Sequence, residues 1–196
     1  MDNLFLESET RSNYLPPLAE RMRPKNIDEV LGQTHLLGKN APLRSFFESS
    51  NFPSMIFWGP PGVGKTTLAF LIADSGNYNF IRISAVEAGV KQVKDIIEKA
   101  KNLLSKGKKT LLFIDEIHRF NKAQQDYLLH AVEKGIITLI GATTENPSFE
   151  VIPALLSRCQ VYKLNSLSNQ DIVYVLQKAL ANDSVLTQHE IQIEDF

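Results

Sequence analysis

The chain carries a single cysteine, Cys159, among its 196 residues. That excludes an intramolecular disulfide and any zinc site built on paired thiolates, and it makes a reducing cytoplasm the expected setting. Long apolar runs are missing as well. No stretch approaches the roughly 20 residues needed to cross a bilayer, and the opening Met1-Asp2-Asn3 does not read as a signal peptide. Neither charge dominates: the net charge is −1, so the surface has no general basic coat and any contact with nucleic acid must come from a local patch. Internal repeats and low-complexity tracts are absent. What remains is an ordinary globular composition, long enough for one domain with a substantial core and a small appendage.

One run stands out. Gly59-Pro60-Pro61-Gly62-Val63-Gly64-Lys65-Thr66-Thr67 fits the pattern G-x-x-x-x-G-K-[ST] without a substitution. Ser54–Trp58 before it reads as a buried strand and Thr67–Ala73 after it as a helix, the context this phosphate-binding loop requires. Glycines let successive backbone N–H groups point inward, and the helix adds its positive end. Lys65 then reaches the β- and γ-phosphates of a nucleoside triphosphate, and the Thr66 hydroxyl is placed to ligate Mg²⁺.

Four further apolar segments read as strands: Phe80–Ser84, Thr110–Asp115, Ile136–Gly141 and Gln160–Leu164. Thr110–Asp115 is continuously apolar, as in a central parallel strand buried on both faces. Helical periodicity separates them. Val93, Ile96, Ile97, Ala100, Leu103 and Leu104 share one face, and a second helix starts at Asn121 with Gln124 three residues on, a capping box, turning Ala123, Tyr127, Leu128 and Ala131 inward. Pro42–Phe47 reads as a further helix with proline in its first turn. This alternation predicts an α/β fold with a five-stranded parallel sheet flanked by helices. Residues 1–18, ending in Pro16-Pro17, are expected to form a loosely ordered arm, and 19–166 the nucleotide-binding core. After Ser168 only a helical stripe remains (Ile172, Val175, Leu176, Leu180), so 167–196 reads as the first part of a helical domain cut short.

Asp115 and Glu116 stand at the C-terminal tip of the most apolar strand, the edge where ligands bind in open parallel sheets. Asp115 suits Mg²⁺, and Glu116 suits orienting and polarising an attacking water; a plain helix cap is the competing reading. The next strand ends in Thr143-Thr144, where a hydroxyl can meet both the γ-phosphate and the water. Thr144 is the first choice and Thr143 the second, against a simple threonine-rich turn before Pro147. Arg158, at the Leu155–Cys159 corner, reads by itself as a solvated cation. His118 reads as a packed or hydrogen-bonded residue, and the lysines from Lys91 to Lys109 as a solvated helix face.

In this order the pieces resemble the AAA+ ATPases of the clamp-loader branch. Ala19–Pro24, Ile83–Val86, Gly89–Lys91, Asp115–Asp126 and Gly141–Glu150 are similar, within that branch, to the replication-associated recombination proteins and their eukaryotic counterpart, the Werner-helicase-interacting ATPase. Generic clamp-loader subunits and Holliday-junction motors share the loop but not the His118–Lys122 string. The resemblance spans about Leu18 to Leu180. It implies a DNA-dependent ATPase that uses ATP and Mg²⁺ at stalled or gapped replication forks, in the cytoplasm at the nucleoid. It also implies a homotetramer and single-stranded-DNA-binding protein as partner. Arg158 becomes a trans-acting finger for a neighbour's site, and Arg23, Pro24, Leu31, Gly32 and Gln33 become candidates for the adenine pocket. Ser84 would restrain Glu116, and Arg119 and Lys122 would sit at the active edge.

Relatives continue through a helical lid and an oligomerisation domain, whereas this sequence holds the start of the lid alone. Two expectations therefore stand side by side: a DNA-stimulated ATPase motor, and a nucleotide-binding module with little turnover.

Overall fold

The computed structural model describes residues 15–187. Most of the arm expected over 1–18 therefore lies outside the described residues. In chain order the elements are α1 (Leu18–Arg21), a 3-10 turn (Ile27–Glu29), α2 (Thr34–Leu37), α3 (Pro42–Ser49), β1 (Met55–Trp58), α4 (Lys65–Ser75), β2 (Asn79–Ser84) and α5 (Val90–Leu104). There follow β3 (Thr110–Asp115), a 3-10 turn (Ile117–Arg119), α6 (Lys122–Glu133), β4 (Thr138–Thr143), α7 (Pro147–Glu150), α8 (Pro153–Leu156), β5 (Gln160–Lys163) and α9 (Asn169–Asn182). The chain divides into two compact units. One is Pro24–Ile172; the other draws on the two chain ends, up to Arg23 and from Val173, where the sequence had suggested boundaries at 19 and 166.

In the larger unit all five strands run parallel, in the order β2-β3-β4-β1-β5. Alternate residues of a strand face opposite sides, so a strand covered on both faces must be apolar throughout, and β3 is buried from Thr110 to Ile114. Phe57, Leu111, Phe113, Ile140 and Ala142 pack with Leu68 and Ile72 of α4 on one face. Ile56, Leu112, Ile114 and Leu139 pack with Val93, Ile96 and Ile97 of α5 and Leu128 of α6 on the other.

Helix starts follow local chemistry. Asn121 and Gln124 form the expected capping box on α6, and Pro42 occupies the first turn of α3. The inward face of α6 differs from the periodicity reading: Ala123 and Tyr127 are exposed, and Gln124 and Gln125 are buried with Leu128 and Ala131. Their amides explain this. Gln124 donates to the Ala88 carbonyl (2.8 Å), and Gln125 donates to the carbonyls of Phe120 (2.9 Å) and Glu150 (3.0 Å) while accepting the Ile152 N–H (2.8 Å). The fourth strand also starts later than expected. The chain leaves α6 through a left-handed Gly135, and the Ile136 N–H returns to the Ala131 carbonyl, so Ile136 and Ile137 fill the core before the strand begins. Ser168 and Asp171 cap the start of α9 reciprocally, after which Ile172, Val175 and Leu176 stay exposed and Ala179 is buried.

The chain-end unit is joined by a bidentate ion pair. Arg21 Nε and Nη2 donate to the two Asp183 carboxylate oxygens at 2.6 and 2.8 Å, and Asp183 Oδ1 also accepts the N–H groups of Val185 and Leu186. The hydrogen bond from Arg21 holds the Asp183 pKa down to about 2, against an ordinary 3.8. A carboxylate whose folded pKa is depressed stabilises the fold fully above its unfolded value and loses that contribution as pH falls through the folded one. Asp183→Asn keeps an acceptor oxygen and removes the charge. The variant should melt below the parent at neutral pH, and the gap should close as pH falls from about 4 toward 2, as followed by thermal melts across that range.

Candidate active site

The phosphate loop leaves the sheet where β1 ends. Trp58 pairs with Thr143 of β4 and with Lys163 of β5, the Gly59 N–H donates to the Thr143 carbonyl (3.1 Å), and the Leu164 N–H donates to the Trp58 carbonyl (2.7 Å). A side chain at Gly59 would put its first carbon 2.4 Å from the Leu164 carbonyl oxygen, so glycine is required for the close approach. Pro60, Pro61 and Gly62 arch into solvent, and Val63 folds back into the core. Gly64, at φ +98°, turns the chain into α4, so the positive end of that 11-residue helix faces the loop. Thr66 and Thr67 lie half-buried in its first turn. Lys65 Nζ reaches across the loop and donates to the carbonyls of Gly59 (2.6 Å) and Pro60 (2.8 Å). Burial lowers the Lys65 pKa, and attraction to the carboxylates of Glu116 and Asp115 opposes that shift, so the three charges lie within electrostatic reach of one another.

Asp115 closes β3 beside Ser84 of β2. Its Oδ2 pairs with Arg82 Nη2 at 3.1 Å, a partner that sequence reading missed. The signal was present: Arg82 interrupts an apolar strand, and alternation puts it on the same face as Phe113 and Asp115. Both groups are part-exposed, so the pair is worth about 1 kcal/mol or less and serves to orient the carboxylate. Glu116 follows in the left-handed region, φ +55° and ψ +47°, a conformation that non-glycine residues keep where surrounding structure enforces it. The enforcement is visible. Ile117 and Phe120, three residues apart, are both buried, and the Arg119 N–H returns to the Glu116 carbonyl (2.8 Å). This turn directs Arg119 to solvent, and Lys122 beyond it is exposed too.

Glu116 Oε2 is buried and lies 3.2 Å from His118 Nδ1, without the alignment of a hydrogen bond. His118 Nδ1 is also 3.0 Å from Thr143 Oγ1. Thr143 is wholly buried, and its hydroxyl accepts the Glu145 N–H (2.9 Å) and faces the Glu145 carbonyl (3.3 Å). Thr144 is half-buried; its carbonyl accepts the Trp58 indole N–H (3.3 Å), and its hydroxyl makes no hydrogen bond among the described residues. Ser84 Oγ accepts the Val86 N–H (3.3 Å).

Arg158 stands exposed after α8, 3.3 Å from Glu133 and 3.3 Å from the Ser157 hydroxyl. Among the adenine-pocket candidates, Pro24, Leu31 and Gly32 are half-buried, and Arg23 belongs to the chain-end unit, where it pairs with Glu20 (2.8 Å). Gln33 is completely buried and acts as a clamp. Its Nε2 donates to the carbonyls of Asn165 (2.8 Å) and Val63 (3.4 Å), while Oε1 accepts the Asn165 N–H (3.0 Å). The Cys159 thiol, raised to about 12 by burial, is not a nucleophile.

The family model described as "ATPase family associated with various cellular activities (AAA)" matches residues 55–167, from the start of β1 to beyond β5. The chain belongs to the AAA family of ATPases. Replication-associated recombination protein A of Escherichia coli K12 is 53% identical over 180 residues, covering 92% of this chain and 40% of that protein. ATPase WRNIP1 of Dictyostelium discoideum is 49% identical over 191 residues, 97% of this chain and 22% of its own length. The chain thus spans well under half of the curated relatives it matches. Among solved structures, the Thermotoga maritima RuvB Holliday junction branch migration motor superposes with a TM-score of 0.69 at 30% identity, covering 88% of this chain and 56% of that one. The ATPase domain of the family, with its α/β parallel-sheet fold, is what this chain carries.

The Gln33 clamp generates a stability prediction. Gln33→Ala removes both hydrogen bonds to the Asn165 backbone from a buried side chain and should cost about 1–3 kcal/mol, measured as a shift in the urea midpoint without a change in slope.

Proposed function

We propose that this chain binds ATP with Mg²⁺ and hydrolyses it in a DNA-dependent reaction serving replication-fork maintenance and recombination. The observation that carries the proposal is the attraction of Lys65 to Glu116 and Asp115 where Gly64 turns the phosphate loop into the positive end of α4. In this reading the loop from Gly59 to Thr67 cradles the phosphates and Lys65 neutralises the β- and γ-oxygens. Glu116 orients and polarises the water, and Thr144 contacts the γ-phosphate with its uncommitted hydroxyl. Thr66 and the second oxygen of Asp115 offer the hard oxygen donors that Mg²⁺ prefers, leaving room for water and substrate oxygens. Bound there, Mg²⁺ supplies charge neutralisation across the β- and γ-phosphates. Pro24, Leu31 and Gly32 form the adenine site, and Gln33 supports it by holding Val63 and Asn165.

Arg158 is the residue offered to a neighbouring subunit. Its exposure at a short corner supports this, since a finger must leave its own surface to reach another site. The homo-oligomer is a tetramer, DNA with forks, single-stranded gaps or ends is the stimulating ligand, and single-stranded-DNA-binding protein is a partner at the nucleoid. Similarity to the replication-associated recombination proteins supports these assignments, and the likeness to a branch migration motor supports a DNA-directed role. A nucleotide-binding module with little turnover is the second reading.

Lys65→Ala should abolish binding of a fluorescent ATP analogue, whereas Glu116→Gln should bind it like the parent and release no phosphate. Turnover by Glu116→Gln at the parental rate removes the assignment of the base. Arg158→Ala should bind ATP normally and hydrolyse it on the order of 10³-fold more slowly. Mixing Arg158→Ala with Glu116→Gln should restore part of the activity, since each subunit supplies what the other lacks. A mixture as inactive as its components, in a monomeric parent, favours the module.

A further inference from the structure

The polar contacts around Glu116 assign a role to a residue that the ATPase motifs leave out. Thr143 Oγ1 sits within reach of three groups: the Glu145 N–H, the Glu145 carbonyl and His118 Nδ1. A hydroxyl has one proton to give and two lone pairs to fill. The Glu145 N–H fills one lone pair, and the carbonyl can only take the proton. When the hydroxyl proton goes to that carbonyl, the remaining lone pair faces Nδ1, which places the imidazole proton on that nitrogen. The Glu116 carboxylate, 3.2 Å from the same nitrogen, favours the same tautomer electrostatically, because an unprotonated Nδ1 would set two lone-pair-bearing atoms against each other inside the protein. With the proton on Nδ1 the Thr143 hydroxyl is fully satisfied, while Glu116 Oε2 stays buried and unpaired. Groups in that condition are costly and are kept where they have a function.

We propose that His118 is the positioning residue for Glu116: its single Nδ1 proton is contested between Thr143, at the tip of β4, and the water-activating carboxylate at the tip of β3. In the present arrangement the aligned hydrogen bond goes to Thr143, and Glu116 waits just outside alignment. A small shift of the Thr143–Thr144 tip hands the proton to Glu116 Oε2 and fixes the carboxylate, leaving Oε1 to meet water. Thr144 neighbours Thr143 in the chain, so contact at that strand tip and alignment of the base become one event. His118 touches neither substrate nor water in this scheme. It lies largely buried on the turn pinned by Ile117 and Phe120, which gives the ring a fixed seat.

This inference rests on Glu116 being the base, and the test separates the two. Asparagine reproduces a donor at the Nδ1 position and glutamine one at the Nε2 position, so H118N and H118Q differ in the one atom that matters. A positioned base contributes roughly 10²–10⁴ in rate, so H118Q and H118A should lower single-turnover kcat about 10- to 100-fold, while H118N stays within about threefold of the parent. The affinity for a fluorescent ATP analogue should be unchanged in all three. In the parent without nucleotide, long-range ¹H–¹⁵N correlation spectra of the neutral ring should show the proton on Nδ1, a readout that needs no variant to fold. Equal rates for H118N and H118Q, or a ring protonated on Nε2, overturn the proposal. Hydrolysis by E116Q at the parental rate overturns the base assignment instead, whatever the His118 variants do.

Discussion

Trp58 and Thr143 lie side by side where β1 and β4 end, and the hydrogen bond from Gly59 to the Thr143 carbonyl continues that ladder by one step before the phosphate loop departs. The positions of all the chemical groups follow from this seam. Parallel strands must finish on the same edge of a sheet, so the loop after β1, the carboxylates after β3 and the threonines after β4 emerge together. Because β4 lies between β1 and β3, one strand separates the loop from the carboxylates. Lys65, partly buried and drawn to Glu116 and Asp115, links the two electrostatically.

An edge that must stay polar cannot be held by apolar packing alone, and buried glutamines take over. Gln33 ties the phosphate loop to the chain after β5. Gln124 ties α6 to the turn after β2, and Gln125 joins the end of the Ile117–Arg119 turn to the segment linking α7 and α8. Each amide offers two donors and an acceptor to backbone groups that loops leave unsatisfied. These loops and turns are therefore stapled to the scaffold by side chains that composition alone marks as surface residues.

That explains which parts of the fold were legible. The continuous apolar run of Thr110–Ile114 announced a central strand, because burial on both faces leaves no polar position to disguise it. Asn121 and Gln124 announced their helix through capping chemistry that depends on neighbours three residues apart. The inward face of α6 was misread because apolar periodicity is blind to glutamines whose partners lie 36 and 25 residues away. The fourth strand was placed too early for a related reason: Ile136 and Ile137 are apolar because they fill the core, not because they pair in the sheet. At the site, the phosphate loop and the Asp115-Glu116 pair were readable as contiguous motifs. The Gln33 clamp and the Thr143–His118–Glu116 cluster were not, since each joins residues from separate strands or turns.

By itself, then, the order of residues determined what is local and chemical: a loop able to wrap phosphates, two acids at the end of a buried strand, and strands alternating with helices. Only the tertiary structure decided the lateral order of the strands, the left-handed setting of Glu116, and which threonine keeps a free hydroxyl. The reason is physical. A motif encodes the conformations its own backbone can adopt, whereas the orientation of a catalytic side chain depends on hydrogen bonds and packing supplied by partners that the chain brings near only once it has folded.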